Sequence, residues 1–344
     1  MKHINIPVFI PHLGCPNQCV FCNQRAISGV QKFEAESVVG IIEDALKTVG
    51  ENDEVEIAFF GGSFTGIESS LMIELLNIAH SYVASGRVDS IRCSTRPDYI
   101  NEQIVEILKL HGVKVVELGL QTVSDDVLAA TKRNHTFEDE KKACKLIVES
   151  GIDLVGQMMI GLPGASAFDE EKTADFIIAS GAKAARVYPT VVFRETELCD
   201  MSMRGAYKPL TLEEAVNRSA SVVKKFREAG VSVIRIGLCA SDNLVSEDTY
   251  FAGPNHPALG ELVENRIYCD RIEEAAKKLS LDCDSVLDIK VARGELSKAV
   301  GQKKKNKKFL IGNLGIRDIS FSESDELLRD EISVNLKRKE NKCI

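Results

Sequence analysis

INIPVFIPHLGCPNQCVFC, residues 4–22, decides the fold. Its first seven residues, rich in Ile and Val and without strict alternation, read as a strand buried on both faces. Cys15-Pro-Asn-Gln-Cys19-Val-Phe-Cys22 follows at once, a C-x3-C-x2-C motif on the loop that leaves the strand. Thiols in that place need a scaffold whose strand ends converge, and the rest of the chain supplies the parts. Further β-like runs lie at 54–60 (EVEIAFF), 89–95 (DSIRCST), 114–120 (KVVELGL), 153–161 (DLVGQMMIG), 184–190 (AARVYPT) and 231–237 (VSVIRIG). Amphipathic stretches such as SVVGIIEDALKTVG and NEQIVEILKLHG separate them, several ending at a glycine, a helix-stop signal.

Six or seven β/α units in succession imply a parallel sheet with right-handed crossovers. The expected fold class is α/β, a partial (β/α)6-type TIM barrel with a smaller α+β region behind it. In such a fold the loops at the carboxyl ends of the strands carry the chemistry. The unusual residues fall there: the cysteines after the first run, GGSF (61–64) after the second, TRPD (95–98) after the third, Gln121 after the fourth and GLPG (161–164) after the fifth. Near residue 240 the rhythm changes to a polar segment, a long helix over roughly 257–279, a strand-like DSVLDIKV and the run KKKNKK (303–308). The expected division is a barrel over 1–240 and a C-terminal extension over 241–344.

Composition bounds the function. The 344 residues are 44% hydrophobic and 27% charged, ordinary for a globular protein and unlike a disordered one. No apolar run approaches the roughly 18–20 residues that span a bilayer, and the N-terminus has no small-residue cleavage site, so a cytoplasmic protein without a membrane partner is expected. Ten cysteines in such a chain do not suggest a disulfide framework. A net charge of −8 argues against a broadly basic nucleic-acid binder but leaves room for a local basic patch.

Thiolates are soft ligands suited to iron–sulfur clusters or to zinc. An all-cysteine [4Fe–4S] cluster needs four ligands; Cys15, Cys19 and Cys22 without an obvious fourth leave one iron open. That iron can chelate the amino and carboxylate groups of S-adenosylmethionine (SAM) and pass an electron to its sulfonium. Homolysis of the carbon–sulfur bond then gives a 5′-deoxyadenosyl radical. The alternative is a structural Cys3His zinc site with His12 as fourth ligand. A second metal site from Cys239, His256, Cys269 and Cys283 has no recognisable spacing.

With Phe21 just before the last cysteine, the motif resembles that of the radical SAM superfamily, and within it the chain is most similar to the radical SAM domain of the Elongator catalytic subunit. The stretches that carry the likeness are FFGGSFTG (59–66), STRPDYI (94–100), VELGLQTV (116–123), RNHT (133–136), GQMMIGLP (156–163) and VYPTVVFRETEL (187–198). The resemblance implies an enzyme with a [4Fe–4S] cluster on Cys15, Cys19 and Cys22, SAM as cofactor, an electron donor such as flavodoxin or ferredoxin, and tRNA uridine modification. Gly61 and Gly62 let the backbone approach a ligand and offer the SAM amino group its partners, with Ser63 adding a hydroxyl. Ser94 stands where the family carries a ribose-binding glutamate. Gln121 matches a position that holds the nucleoside, Arg133 one that pairs with the SAM carboxylate, and Gln157 a polar position facing the adenosine. Arg96 and Asp98 are expected to form an ion pair; His135 reads as a surface or capping residue or as a wall of the site.

The likeness has limits. The last hundred residues are too few for an acetyltransferase domain, and no Gln/Arg-x-x-Gly-x-Gly/Ala loop is present to cradle CoA, so the chain alone is expected not to bind acetyl-CoA. KKKNKK, with its five lysines, is either a phosphate-tracking segment for tRNA or a solvated loop; no aromatic interleaves with the lysines to stack on bases. A radical SAM oxidoreductase on a small molecule, like the oxygen-independent porphyrinogen oxidases, is the alternative function, and a cluster- or haem-binding accessory protein a further one.

Overall fold

The structure is a computed structural model and describes residues 2–10, 13–15, 19–23, 33–238, 246 and 248–337. Two compact units divide at Pro257, Met1–Pro257 and Ala258–Ile344.

In the first unit the β-like runs become β1 (His3–Ile10), β2 (Glu54–Gly61), β3 (Ser90–Thr95), β4 (Val113–Gln121), β5 (Asp153–Ile160) and β6 (Ala184–Pro189). After the two-residue β7 (Val192–Phe193) comes β8 (Ser232–Ile236). All but β7 join one parallel sheet in the order β1-β2-β3-β4-β5-β6-β8, a curled half-barrel with one strand more than the six of the barrel type. β7 pairs instead, antiparallel, with β9 (Tyr250–Ala252).

Side chains alternate across a strand, and here the alternation separates two environments. Ile6, Val8, Ile57, Phe59, Ile91, Val116, Leu118, Leu154, Met158 and Val187 are all buried and form the core face. Gly156 shows what lies against that face: a Cβ there would meet Ile177 of the helix Ala167–Ala179 at 2.7 Å. The opposite face of the same strands carries Glu56, Arg92, Glu117, Gln157 and Arg186, in adjacent register. It is filled by ion pairs where the sequence suggested apolar burial on both sides. Three helices start at reciprocal caps, Thr136 with Asp139, Ser166 with Asp169 and Thr211 with Glu214, which fix where each returns to the sheet.

The second unit has its own core. The helix Leu259–Ala276 and the helix Lys305–Leu314 pack on a three-stranded sheet, with β10 (Val286–Ala292) between β11 (Asp318–Ser324), parallel to it, and β12 (Ile332–Leu336), antiparallel. Tyr268, Ile272, Leu287, Ile289, Val291, Leu310 and Ile319 form its centre. KKKNKK is not a loop. Gln302–Lys304 makes a 3-10 turn, with Lys303 and Lys304 at φ 52° and 60°, and Lys305 begins a helix. Asn306 anchors it by donating to the Asn265 carbonyl at 2.7 Å. Lys303, Lys304, Lys305 and Lys308 remain exposed, whereas Lys307 is held by Asp318 at 2.9 Å. Exposed Phe309, next in sequence, lies under the Arg266 guanidinium.

Candidate active site

The loops at the carboxyl ends of β1 to β5 close around a pocket of about 610 Å³, its open mouth included. Every residue expected to hold the cluster or SAM lines it except Ser63. His12 and Cys239 lie outside the described residues.

The cysteine loop is held by backbone contacts. Cys19 is buried, and Cys15 and Cys22 are half-buried. The Val20 amide donates to the Thr131 carbonyl at 3.2 Å, and the Leu198 amide donates to the Val20 carbonyl at 2.8 Å. From the other side the end of β2 clips the loop: Gly62 N–H donates to Ile10 O at 2.8 Å and Ser63 N–H to Leu13 O at 3.0 Å. This contact requires the glycine pair. A Cβ on Gly62 would be driven into the Leu13 carbonyl oxygen, and Gly61 sits at φ 113° against Ile10. The close approach they permit is therefore, first, between two parts of this chain. Ser63 works from behind the wall. Its hydroxyl is fully buried, pairs with Thr95 Oγ1 at 2.8 Å and accepts the Arg96 amide at 3.1 Å, which keeps it from reaching a ligand.

Two buried arginines face the thiols. Arg133 donates from Nη1 to Cys19 Sγ at 3.6 Å and from Nη2 to the Gly119 carbonyl. Arg96 forms the expected pair with Asp98, at 2.9 and 2.8 Å, and also donates to the Arg133 carbonyl. Burial and the neighbouring Cys19 push the Cys15 thiol up, and Arg96 and Arg133 pull against that rise. His135 is neither at the surface nor in the pocket wall. It is buried behind Arg133, its Nε2 3.0 Å from Glu140 Oε1. Burial, with Arg133 next, depresses His135 to about 3, and burial raises Glu140 well above the carboxylate range. The pair is thus held neutral, with its proton on Glu140.

Gln121 ends β4 at φ 70°, past a register shift in its pairing with β5. A non-glycine residue held there stores strain, which persists where surroundings over-determine it. Its Oε1 is buried without a partner. Gln157 donates to Glu117 Oε2 at 2.7 Å and weakly to Ser94 Oγ at 3.4 Å. Glu117 is the hub of this polar face, accepting also from Arg92 at 3.0 Å and Arg186 at 2.9 Å. Thr95, Arg96, Gly119 and Phe21 complete the wall. Gly119 had a sequence signal, a glycine inside a strand marking close approach: a Cβ there would press on Gln121 Nε2 at 3.0 Å and Arg133 Nη2 at 3.3 Å.

The pocket fits an anionic metal–thiolate group and an organic ligand beside it. Three thiols and two guanidinium groups meet there, and Gln121 Oε1, Arg96 Nη1 and Arg133 Nε are buried polar atoms still without partners. Buried polar groups are ordinarily paired, so these three mark where ligand atoms belong. Among the described residues no three His, Cys, Asp or Glu side chains converge as a single ion would require. A tetrahedral zinc site needs that convergence; a cubane does not, because each thiolate binds a different iron.

Comparison with known proteins gives the family. The model of the radical SAM superfamily matches residues 9–177, and that of the radical SAM C-terminal domain matches residues 182–268. The chain belongs to the radical SAM superfamily and is an enzyme of that class, whose cofactors are a [4Fe–4S] cluster and SAM. It is 32% identical over 198 residues to a tRNA uridine(34) acetyltransferase of Methanocaldococcus jannaschii, covering 51% of this chain and 36% of the relative. It is 28% identical over 204 residues to human Elongator complex protein 3, covering 52% and 37%. The chain thus spans little more than a third of the length of these relatives. The archaeal Methanocaldococcus infernus Elp3 lacking its N-terminus shares the fold, with a TM-score of 0.63 at 23% identity over 86% of this chain and 68% of that one. No helix among the described residues is long and apolar enough to cross a membrane.

Proposed function

We propose that Cys15, Cys19 and Cys22 hold the cluster, that SAM occupies the pocket beside it, and that the enzyme modifies RNA, with a tRNA uridine as target. The observation that carries the site assignment is the gathering of thiols, paired glycines and partnerless polar atoms around one pocket at the strand ends. When bound, the cluster and SAM supply one-electron cleavage of a carbon–sulfur bond and, through it, hydrogen-atom abstraction.

The chain's own residues bind, orient and exclude water. Gln121, its backbone fixed at positive φ, turns its free Oε1 toward the nucleoside. Gln157, with its amide N–H anchored on Glu117, and Ser94 present polar atoms to the same ligand. The backbone of Gly61 and Gly62 borders the amino-acid end, and Arg96 Nη1 and Arg133 Nε are the free donors for a carboxylate. Phe21 closes the wall beside Cys22. The electron comes from a low-potential carrier of the flavodoxin or ferredoxin kind.

Two observations support RNA as substrate: the tRNA-directed relatives, and the exposed Lys303, Lys304, Lys305 and Lys308 beside an exposed aromatic in the C-terminal unit. Anaerobic incubation of the reconstituted protein with a reductant, SAM and unmodified tRNA tests the reading. It expects 5′-deoxyadenosine release stimulated by tRNA and a mass change on a uridine. Release that tRNA leaves unchanged, with unaltered nucleosides, would contradict it.

A further inference from the structure

Arg133 carries a buried positive charge whose neighbours do not neutralise it. The residue is 6% exposed, and among the described residues no carboxylate lies within ion-pair distance. Arg96, by contrast, is matched by Asp98. An unpaired buried charge is costly, so the site is built to receive a negative charge at Arg133. The guanidinium already indicates where. Nη1 donates to the Cys19 sulfur at 3.6 Å while Nη2 is fastened to the Gly119 carbonyl, so the plane cannot swing freely away. The missing side chain at Gly119 makes that fastening possible. Two residues after Thr131, whose carbonyl accepts the Val20 amide, RNHT reaches a sulfur through Arg133 alone: Asn134 is exposed and His135 faces Glu140.

We propose that Arg133 sets the reduction potential of the cluster by a charge-assisted hydrogen bond to the Cys19 sulfur. This rests on the reading that Cys19 is a cluster ligand. The step concerned is the addition of one electron to the cluster from a low-potential one-electron carrier; no bond forms or breaks, and the added negative charge spreads over the cluster and its sulfur ligands. Hydrogen bonds to the sulfurs and nearby positive charge favour the more negative, reduced form. Arg133 thereby raises the midpoint and brings the cluster within reach of its donor. This role differs from pairing with a SAM carboxylate, because it operates before SAM binds.

The test is potentiometry of the reconstituted cluster without SAM, followed by electron paramagnetic resonance, in wild type, Arg133→Met and Arg133→Lys. Methionine keeps length and burial but removes the charge and the donors. The expected result is a midpoint in Arg133→Met lower by at least about 59 mV, a tenfold change in a one-electron equilibrium, with Arg133→Lys between it and wild type. SAM affinity is measured in parallel. An unchanged midpoint in Arg133→Met at full iron content, with weakened SAM binding, would overturn the proposal and leave Arg133 a SAM ligand only. If Arg133→Met loads little iron, Arg133→Lys decides: wild-type potential there overturns the proposal, an intermediate one supports it. Full iron and an unaltered spectrum in Cys19→Ala would instead strike the ligand assignment, so the two failures are distinguishable.

Discussion

Replacing Glu117 by Gln removes one charge without changing size, at the best-connected point of the barrel's polar face. Glu117 is 0% exposed. Its Oε1 accepts from Arg92 Nη1 at 3.0 Å and Arg186 Nη2 at 2.9 Å; its Oε2 accepts from Gln157 at 2.7 Å. Arg186 Nε also lies 2.7 Å from Oε2, off the line of its N–H. A glutamine offers one accepting oxygen for these donors, and its amide nitrogen would face either the Gln157 amide or the arginines. Arg186 would keep Tyr188 and the Phe60 face beneath it, and Arg92 would keep Glu56 at 2.7 Å. Removing one member of a buried ion pair costs about 3–5 kcal/mol. For a unit of this size, at roughly 2–4 °C per kcal/mol, Tm falls by about 6–20 °C. The assay is thermal unfolding of the apoprotein by circular dichroism, with urea unfolding to confirm that the slope is unchanged. Gln157 loses its anchor as well, so SAM binding should weaken. A fall in Tm below about 2 °C would show that water or rearrangement satisfies these groups and would refute the view of Glu117 as their hub.

Other consequences are measurable. Gly62→Ala forces a Cβ into the Leu13 carbonyl; overpacking of this kind costs about 1–3 kcal/mol, and displacement of the cysteine loop should lower iron loading, whereas retention of full iron and stability would show that the loop yields freely. The neutral His135–Glu140 pair has a defined pH signature. Folded, it carries one proton, whereas the unfolded chain carries one between pH 4.5 and 6.5, none above and two below. Its contribution to stability is thus flat across that window and declines on both sides, by at most about 1.4 kcal/mol per pH unit. Subtracting the stability curve of the His135→Gln/Glu140→Gln double variant isolates it, and the absence of any decline above pH 6.5 would mean that the folded pair holds no proton there, which would refute a protonated Glu140. Lys307 is committed to Asp318, so neutralising Lys303, Lys304, Lys305 and Lys308 should make the log–log salt slope of tRNA binding shallower by roughly three, at 0.7–0.9 per phosphate contact; equal slopes would assign them to solvent.

Much of the site was legible because its signals are local. Strands buried beneath helices leave Val/Ile runs, and a parallel sheet puts unusual residues at one end of each run, so the sequence alone places Cys15, Gly61, Ser94, Gln121 and Gln157 together. What stayed hidden depends on partners distant in sequence. Glu56, Arg92, Glu117 and Arg186 look like scattered charges until strand register sets them side by side. The role of Gly62 changed because its crowding partner, the Leu13 carbonyl, is set by tertiary packing. His135 was misread because a lone histidine shows no burial signal, and its mate Glu140 sits on the next helix, in positions that read as polar surface. KKKNKK reads as a loop by composition, yet Asn306 inside it supplies a buried anchor that makes a helix there stable.

The most direct test of the central claim is metal content. Protein reconstituted anaerobically with iron and sulfide, then desalted, should carry about four irons per chain with the visible absorbance of an iron–sulfur chromophore, and the Cys15→Ala/Cys19→Ala/Cys22→Ala variant should carry neither. Stoichiometric zinc without iron in the wild type, or a cluster that survives loss of all three cysteines, would contradict the account.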